Sequence, residues 1–299
     1  KYRGLTPTEV WISEAQERMV LAVSPEHVDT IASICLDHEV EWCDLGEFGT
    51  PGRELVLRWE GQEIGCLPMS FLHDGIPTPV RQAEWPPRTL PASTMIQGIE
   101  PIDVSTGRNA IESVLLSLLS HPNIASKEWI IRQYDHEVQG GSVIKPLVGP
   151  GAGPSDAAVI RPLAESDQGL AIANGLATGL ASDPYLMGLA AIDECVRNLV
   201  CVGCDPDRIA ILDNFCWPGC RDSESLGGLV RAAEACYDGA KAYRTPFISG
   251  KDSLNNQFTT DQGVTIRIPS TLLISGMGIV PRLDHCITMD AKSADNLLV

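Results

Sequence analysis

The sequence predicts a mixed α/β protein. Three observations carry this. From Lys127 to about Pro281, short β-type runs alternate with longer runs of helical period; residues 1 to 85 repeat the alternation on a smaller scale; and a Pro- and Ser-rich stretch without period divides the two.

Taken in order, "EAQERMVLAV" reads as a strand. "EHVDTIASICLDHEVEW" reads as a helix with Val28, Ile31, Ala32 and Cys35 on one face, and "RELVLRWEGQEIGCLPM" as two strands about a turn at "EGQ". The linker "EWPPRTLPASTMIQGIEPIDVS" follows, and then a helix over 109 to 126 that Pro122 ends. Beyond it come the strands "DAAVIRPL", "RIAILDNF" and "TPFISG" and the helical runs "PYLMGLAAIDECVRNLVCVG" and "LGGLVRAAEACYDGAKAY". The last stretch, from "STLLISGMGIV" on, is expected to open another strand layer, and the chain to be a segment of something longer.

The 299 residues are 44% hydrophobic and 20% charged, which suits two or so globular domains. With 22 Lys and Arg against 39 Asp and Glu the net charge is -17, which excludes a general affinity for nucleic acid or an anionic membrane. Any phosphate must be met locally, by carboxylate-held divalent metal, glycine-rich backbone or a partner's cations. No run of 18 apolar residues exists and "KYRGLTPTEVW" lacks a signal-peptide pattern, so a cytoplasmic protein is expected. The ten cysteines are then expected to be reduced. Cys201-x-x-Cys204 and Cys216-x-x-x-Cys220 stand near the ligand spacing of a structural zinc site. Against zinc, "NLVCVGC" reads as a strand in which Cys201 is a small hydrophobe between Val200 and Val202.

Four places could carry chemistry. Glu194 and Asn198 lie four apart in "AIDECVRNLV", so a helix projects both oxygen ligands, of the kind Mg²⁺ accepts, from one face; the plainer reading is a solvated face shared with Asp193 and Arg197. Ser155 and Asp156 stand in "VGPGAGPSDAAVIRP", where a Gly/Pro loop that could approach a phosphate leads into a strand, although it matches neither a P-loop nor a dinucleotide fingerprint. Asp213 follows "RIAIL" at an expected strand end, as a ligand group or a turn former. In "RTPFISGKDSLNN" an apolar strand is expected to stop at Gly250 and deliver Lys251, Asp252 and Ser253 to the same kind of edge.

These motifs together resemble one family. "WISEAQERM", "RQYDHEVQG", "SDAAVIRP", "SDPYLMGLAAIDECVRNLVCVGCDP", "ILDNFCWPG" and "PFISGKDSLNN", in that order, are similar to phosphoribosylformylglycinamidine synthase, the glutamine-dependent amidating enzyme of purine synthesis. The resemblance implies a pseudo-dimer of two A and two B domains. Residues 1 to 88 would end the first B domain, 89 to 126 form a linker and helix, 127 to 281 the second A domain, and 282 to 299 begin the second B domain. It implies ATP and Mg²⁺ as cofactors and formylglycinamide ribonucleotide as substrate. The expected partners are a glutaminase domain or subunit that supplies ammonia and the first A domain, which holds the family's catalytic histidine, so no catalytic residue is expected in this segment. Residue by residue, it puts Glu14, Ala15, Gln16 and Ser253 at the substrate, with Ala15 where the family has Ser. It puts Ser155, Asp156, Asp213, Gly250 and Lys251 at ATP, and Asp156, Glu194 and Asn198 at metal in an auxiliary nucleotide site. Lys251 follows the pattern of the large fused members, and its ammonium cannot ligate Mg²⁺, so it would meet phosphate. Two rivals remain: a related ATP-dependent synthetase or kinase of the same superfamily, and a nucleotide-loaded structural half without chemistry.

Overall fold

The computed structural model describes residues 4–14, 18–86, 108–133, 137–149, 153–290 and 292–297. The chain divides into two compact units, residues 1–80 and 81–299.

In the first unit, "TPTE" starts a helix that the sequence reading missed. Pro7 occupies the first turn of α1 (Pro7–Ile12), the Thr6 side chain accepts from the Glu9 N–H, and Glu9 reaches back to the Thr6 N–H at 2.7 Å, closing a capping box. Helix α2 (Val28–Asp37) turns its half-buried residues, Val28, Ile31, Ala32 and Cys35, to one side as expected. Strands β1 (Glu54–Trp59) and β2 (Gln62–Pro68) pair across a two-residue turn in which Glu60 and Gly61 both have positive φ, and α3 (Met69–Asp74) follows. The expected strand in "EAQERMVLAV" is not found over residues 18–23, whose Met19, Val20 and Leu21 are exposed; among the described residues that segment meets no partner strand, and a strand without a ladder is not one. No described residue of this unit is fully buried.

The second unit holds the core. Helices α4 (Arg108–Ser120) and α5 (Glu128–Ile131) precede it; α4 stops two residues before Pro122. The anticipated linker lies mostly outside the described residues. A six-stranded sheet then runs in the order β3 (Ser142–Ile144), β4 (Ala158–Ile160), β5 (Gly169–Leu176), β10 (Thr271–Val280), β6 (Ile209–Cys216), β7 (Phe247–Ser253). All neighbours are antiparallel except β6 and β7, which are joined in parallel through α7 (Ser223–Tyr243). A separate hairpin, β8 (Gln257–Thr259) with β9 (Thr265–Arg267), follows β7.

Two expectations fall here. Strand β10 does not open another layer: it is a middle strand of this sheet, because its alternating Leu272, Ile274, Gly276, Gly278 and Val280 are buried on the face the helices cover. Cys201 is no strand residue either. Helix α6 (Pro184–Cys201) keeps its period to the end, with Leu199 and Val202 buried and Val200 and Cys201 exposed.

Helix α6 starts at Asp183, whose side chain accepts from the N–H groups of Tyr185 and Leu186, with Pro184 in the first turn. Its Met187, Ala191, Ile192, Cys195, Val196 and Leu199 lie against the sheet and α7 and are buried, each large side chain contributing about 1.5–3 kcal/mol. The contact with β5 is close enough to require glycine. A Cβ at Gly175 would lie 2.0 Å from the Ala191 carbonyl oxygen and 2.8 Å from the Cys195 nitrogen, both backbone atoms that cannot step aside. Gly175→Ala should therefore destabilise the unit by about 1–3 kcal/mol or more, read as a lower urea midpoint; an unchanged midpoint would mean that α6 does not rest on β5 there.

Candidate functional site

The sequence-expected residues of the second unit lie at two places along the sheet. The first is the corner of α6 and β5. The register of β4 against β5 ends with Ala158 opposite Ile172, while β5 continues to Leu176. Past that end, the Leu176 N–H donates to Glu194 Oε2 at 2.7 Å, and Asn198 Nδ2 donates to the Asn174 carbonyl at 3.1 Å. Glu194 and Asn198 thus share one face of α6, as their spacing required, and both are tied to the strand. Each keeps one oxygen, Glu194 Oε1 and Asn198 Oδ1, outside those bonds. The neighbouring Asp193 and Arg197 are not part of this corner: Asp193 pairs with Arg197 at 2.7 Å and accepts from the Tyr243 hydroxyl of α7, which holds its carboxyl below the usual range.

Asp156 lies in the bend two residues before β4, next to Ser155. The Ser155 N–H donates to the Pro146 carbonyl, while its hydroxyl oxygen is buried without a protein partner. A buried hydroxyl lacking a partner costs about 1–3 kcal/mol, so this one is suited to a ligand contact. At this corner Glu194 and Asn198 offer a carboxylate and an amide oxygen, donors of the kind a hard cation such as Mg²⁺ accepts.

The second place is the β6–β7 ladder. Gly250 does not end the strand, contrary to expectation: β7 runs through Gly250, Lys251 and Asp252 to Ser253, because Asp213 pairs with Gly250, Asn214 with Lys251, Phe215 with Asp252 and Cys216 with Ser253. Asp213 lies in the same alternation as the buried Ile209, Ile211 and Phe215. A Cβ at position 250 would come within 2.9 Å of both Asp213 carboxylate oxygens, so glycine is what admits that carboxylate. Burial pushes the Asp213 carboxyl above its ordinary range, Asp252 adds to this, and the backbone N–H of Lys251, which donates to it, works in the opposite direction. Lys251, Asp252 and Ser253 are exposed.

The rung Gly175, Ile274, Asp213, Gly250 crosses the sheet. Two strand spacings of about 4.8 Å put Asp213 roughly 10 Å from the β5 edge, so the two clusters are neighbours and not one site. Glu14 is exposed just beyond α1 in the first unit, while Ala15 and Gln16, like residues 134–136 of "RQYDHEVQG", lie outside the described residues.

Among the described residues Cys201, Cys204, Cys216 and Cys220 belong to no group that could hold a metal ion. Burial pushes Cys204 up to about 11 and raises Cys220 as well, whereas Cys201 is exposed. Among the described residues no group of three or more His, Cys, Asp or Glu side chains could hold a metal ion.

Family models match this chain in two places. The AIR synthase related protein N-terminal domain matches residues 154–279 and the C-terminal domain of the same family matches residues 2–59, together more than half of the chain. The chain belongs to the AIR synthase related protein family. Within this family, it is 34% identical over 282 residues to the phosphoribosylformylglycinamidine synthase subunit PurL of Pyrococcus abyssi, covering 94% of this chain and 36% of that protein. It is 35% identical over 299 residues to the PurL subunit of Methanothermobacter marburgensis, covering 99% of this chain and 37% of that one. The chain thus spans a little over a third of the length of the relatives it matches.

Solved structures share the fold. PurLQS of Thermotoga maritima superposes with a TM-score of 0.62 at 23% identity, covering 96% of this chain and 41% of that chain. Thermotoga maritima PurL complexed with ATP gives 0.60 at 22% identity, covering 95% and 41%. The same protein complexed with FGAR gives 0.54 at 21% identity, covering 87% and 36%.

An acid whose pKa is higher folded than unfolded stabilises the fold fully below the unfolded value and loses that contribution as pH rises through the folded one. Asp213 therefore weakens the fold at neutral pH. Asp213→Asn keeps an acceptor for the Lys251 N–H, so its urea midpoint should exceed the parent's at pH 7, with the gap closing as pH falls below about 4.

Proposed function

We propose that this chain is the part of a phosphoribosylformylglycinamidine synthase that carries an auxiliary Mg²⁺-nucleotide site and one wall of the active site. The reaction is ATP-dependent amidation of formylglycinamide ribonucleotide by glutamine-derived ammonia. The observation that carries this reading is the α6 corner, where Glu194 and Asn198 are fixed by backbone bonds yet keep one oxygen each.

ATP supplies the phosphoryl group that activates the substrate amide oxygen for displacement by ammonia, and Mg²⁺ offsets charge on it. The chain's own residues position these groups. Asp156, Glu194 and Asn198 hold the metal. The unpartnered Ser155 hydroxyl, Asp213, the Gly250 backbone and the Lys251 ammonium meet the nucleotide. In the second unit Ser253 is assigned to the ribonucleotide, and in the first unit the resemblance assigns Glu14, Ala15 and Gln16 to substrate binding. The names of the relatives support the reaction, and the PurL complexes with ATP and FGAR support the ligand classes.

The order of the family matches, C-terminal domain before N-terminal domain, supports a chain that passes from the end of a first B domain (1–88) through a linker (89–126) into a second A domain (127–281) and on to a second B domain (282–299). A first A domain is the partner expected on the open face of the sheet, where Ile172, Leu176, Leu212 and Met277 turn away from the helices and stay exposed. Ammonia comes from a glutaminase domain or subunit. No described helix is long and apolar enough to cross a membrane, which accords with work on cytoplasmic substrates.

Calorimetric titration of the chain with Mg·ADP and Mg·ATP tests this reading. Binding near one equivalent is expected, weakened by more than about tenfold in Glu194→Ala. A folded chain that binds neither nucleotide, or a variant that binds as the parent does, would sink the assignment.

A further inference from the structure

Strand β5 outlasts its neighbour β4 by four residues, and α6 takes the missing strand's place. The match is by hydrogen-bonding sense. An ionised Glu can only accept, and Glu194 meets the Leu176 N–H; an Asn amide can also donate, and Asn198 gives Nδ2 to the Asn174 carbonyl. Because the amide spends its nitrogen on the strand, its carbonyl oxygen is the atom left over. Glu194 likewise spends Oε2 and keeps Oε1.

We propose that the bare edge of β5, through the Asn174 carbonyl and the Leu176 N–H, is the positioning element of the metal site and dictates an amide instead of a carboxylate at position 198. This rests on the reading of α6 as a metal site. By charge alone Asp would be the stronger Mg²⁺ ligand. An ionised carboxylate at that position, however, has no proton to give the Asn174 carbonyl, sets oxygen against oxygen, and turns away from the strand with its ligating atom.

The test compares Asn198→Asp with the parent in two readouts. In Mg·ADP titration the variant should bind about tenfold or more weakly despite its added negative charge. In metal-free thermal unfolding its midpoint should lie below the parent's at pH 7, with the gap narrowing as pH falls toward about 4, where a protonated carboxyl can again donate. Equal or tighter Mg·ADP binding by Asn198→Asp, with the parent also binding, overturns the positioning role and leaves the site reading intact. A folded parent that binds no Mg·ADP overturns the site reading instead. Should Asn198→Asp fail to fold, metal-free unfolding of Glu194→Gln and Glu194→Ala decides. The glutamine keeps an acceptor for Leu176 and should hold the parent's midpoint while the alanine falls below it; equal midpoints for the two would show that the strand edge anchors nothing.

Discussion

How closely α6 approaches the sheet governs the rest of the second unit. The helix lies over glycines at three points: a Cβ at Gly175 would meet the helix backbone, one at Gly276 would come within 2.7 Å of Cys195 Sγ, and one at Gly278 within 2.1 Å of Cys204 Sγ just past the helix end. With larger residues there the helix would ride higher. Glu194 and Asn198 are short enough to touch the strand edge only because the helix axis is this low. Packing and chemistry are therefore coupled through the size of residues that take no part in binding.

The β6–α7–β7 crossover solves a different problem, the placing of a carboxylate where water is scarce. Asp213 is sheltered by its own strand, and glycine opposite it leaves room for both oxygens. Burial raises the affinity of Asp213 for a proton, and a neighbouring cation or hydrogen-bond donor would offset that cost. Stability given up at one carboxylate is recovered elsewhere, in the buried faces of α6 and α7.

Much of this architecture was legible in the sequence where the signal was local. The period of α6 and α7, the one-sided face of α2 and the "EGQ" hairpin are all decided by residues near in sequence. So was the pairing of Glu194 with Asn198. Strand β5 was not legible: "GLAIANGL" is poor in β-branched and aromatic residues because the helix above it needs small ones, and packing overrides strand propensity. The place of β10 between β5 and β6 is set by pairings between strands far apart in sequence, which no local window reports. The same holds for "EAQERMVLAV", whose alternation promises a strand that only a partner could complete, and for the β5 edge, visible only once β4 is seen to stop short.

Among the described residues strand β7 is the last of the sheet and pairs on one side alone, which leaves a row of its N–H and C=O groups without a ladder partner there. Edges of this kind template aggregation unless something makes docking unfavourable, and charges inside the strand are among the usual deterrents. In "SGKDS" the edge carries a glycine, an ammonium and a carboxylate in succession, all exposed. An incoming strand would have to desolvate both charges to complete its ladder. The polar run that interrupts an otherwise apolar strand thus makes the edge a poor template for mispairing.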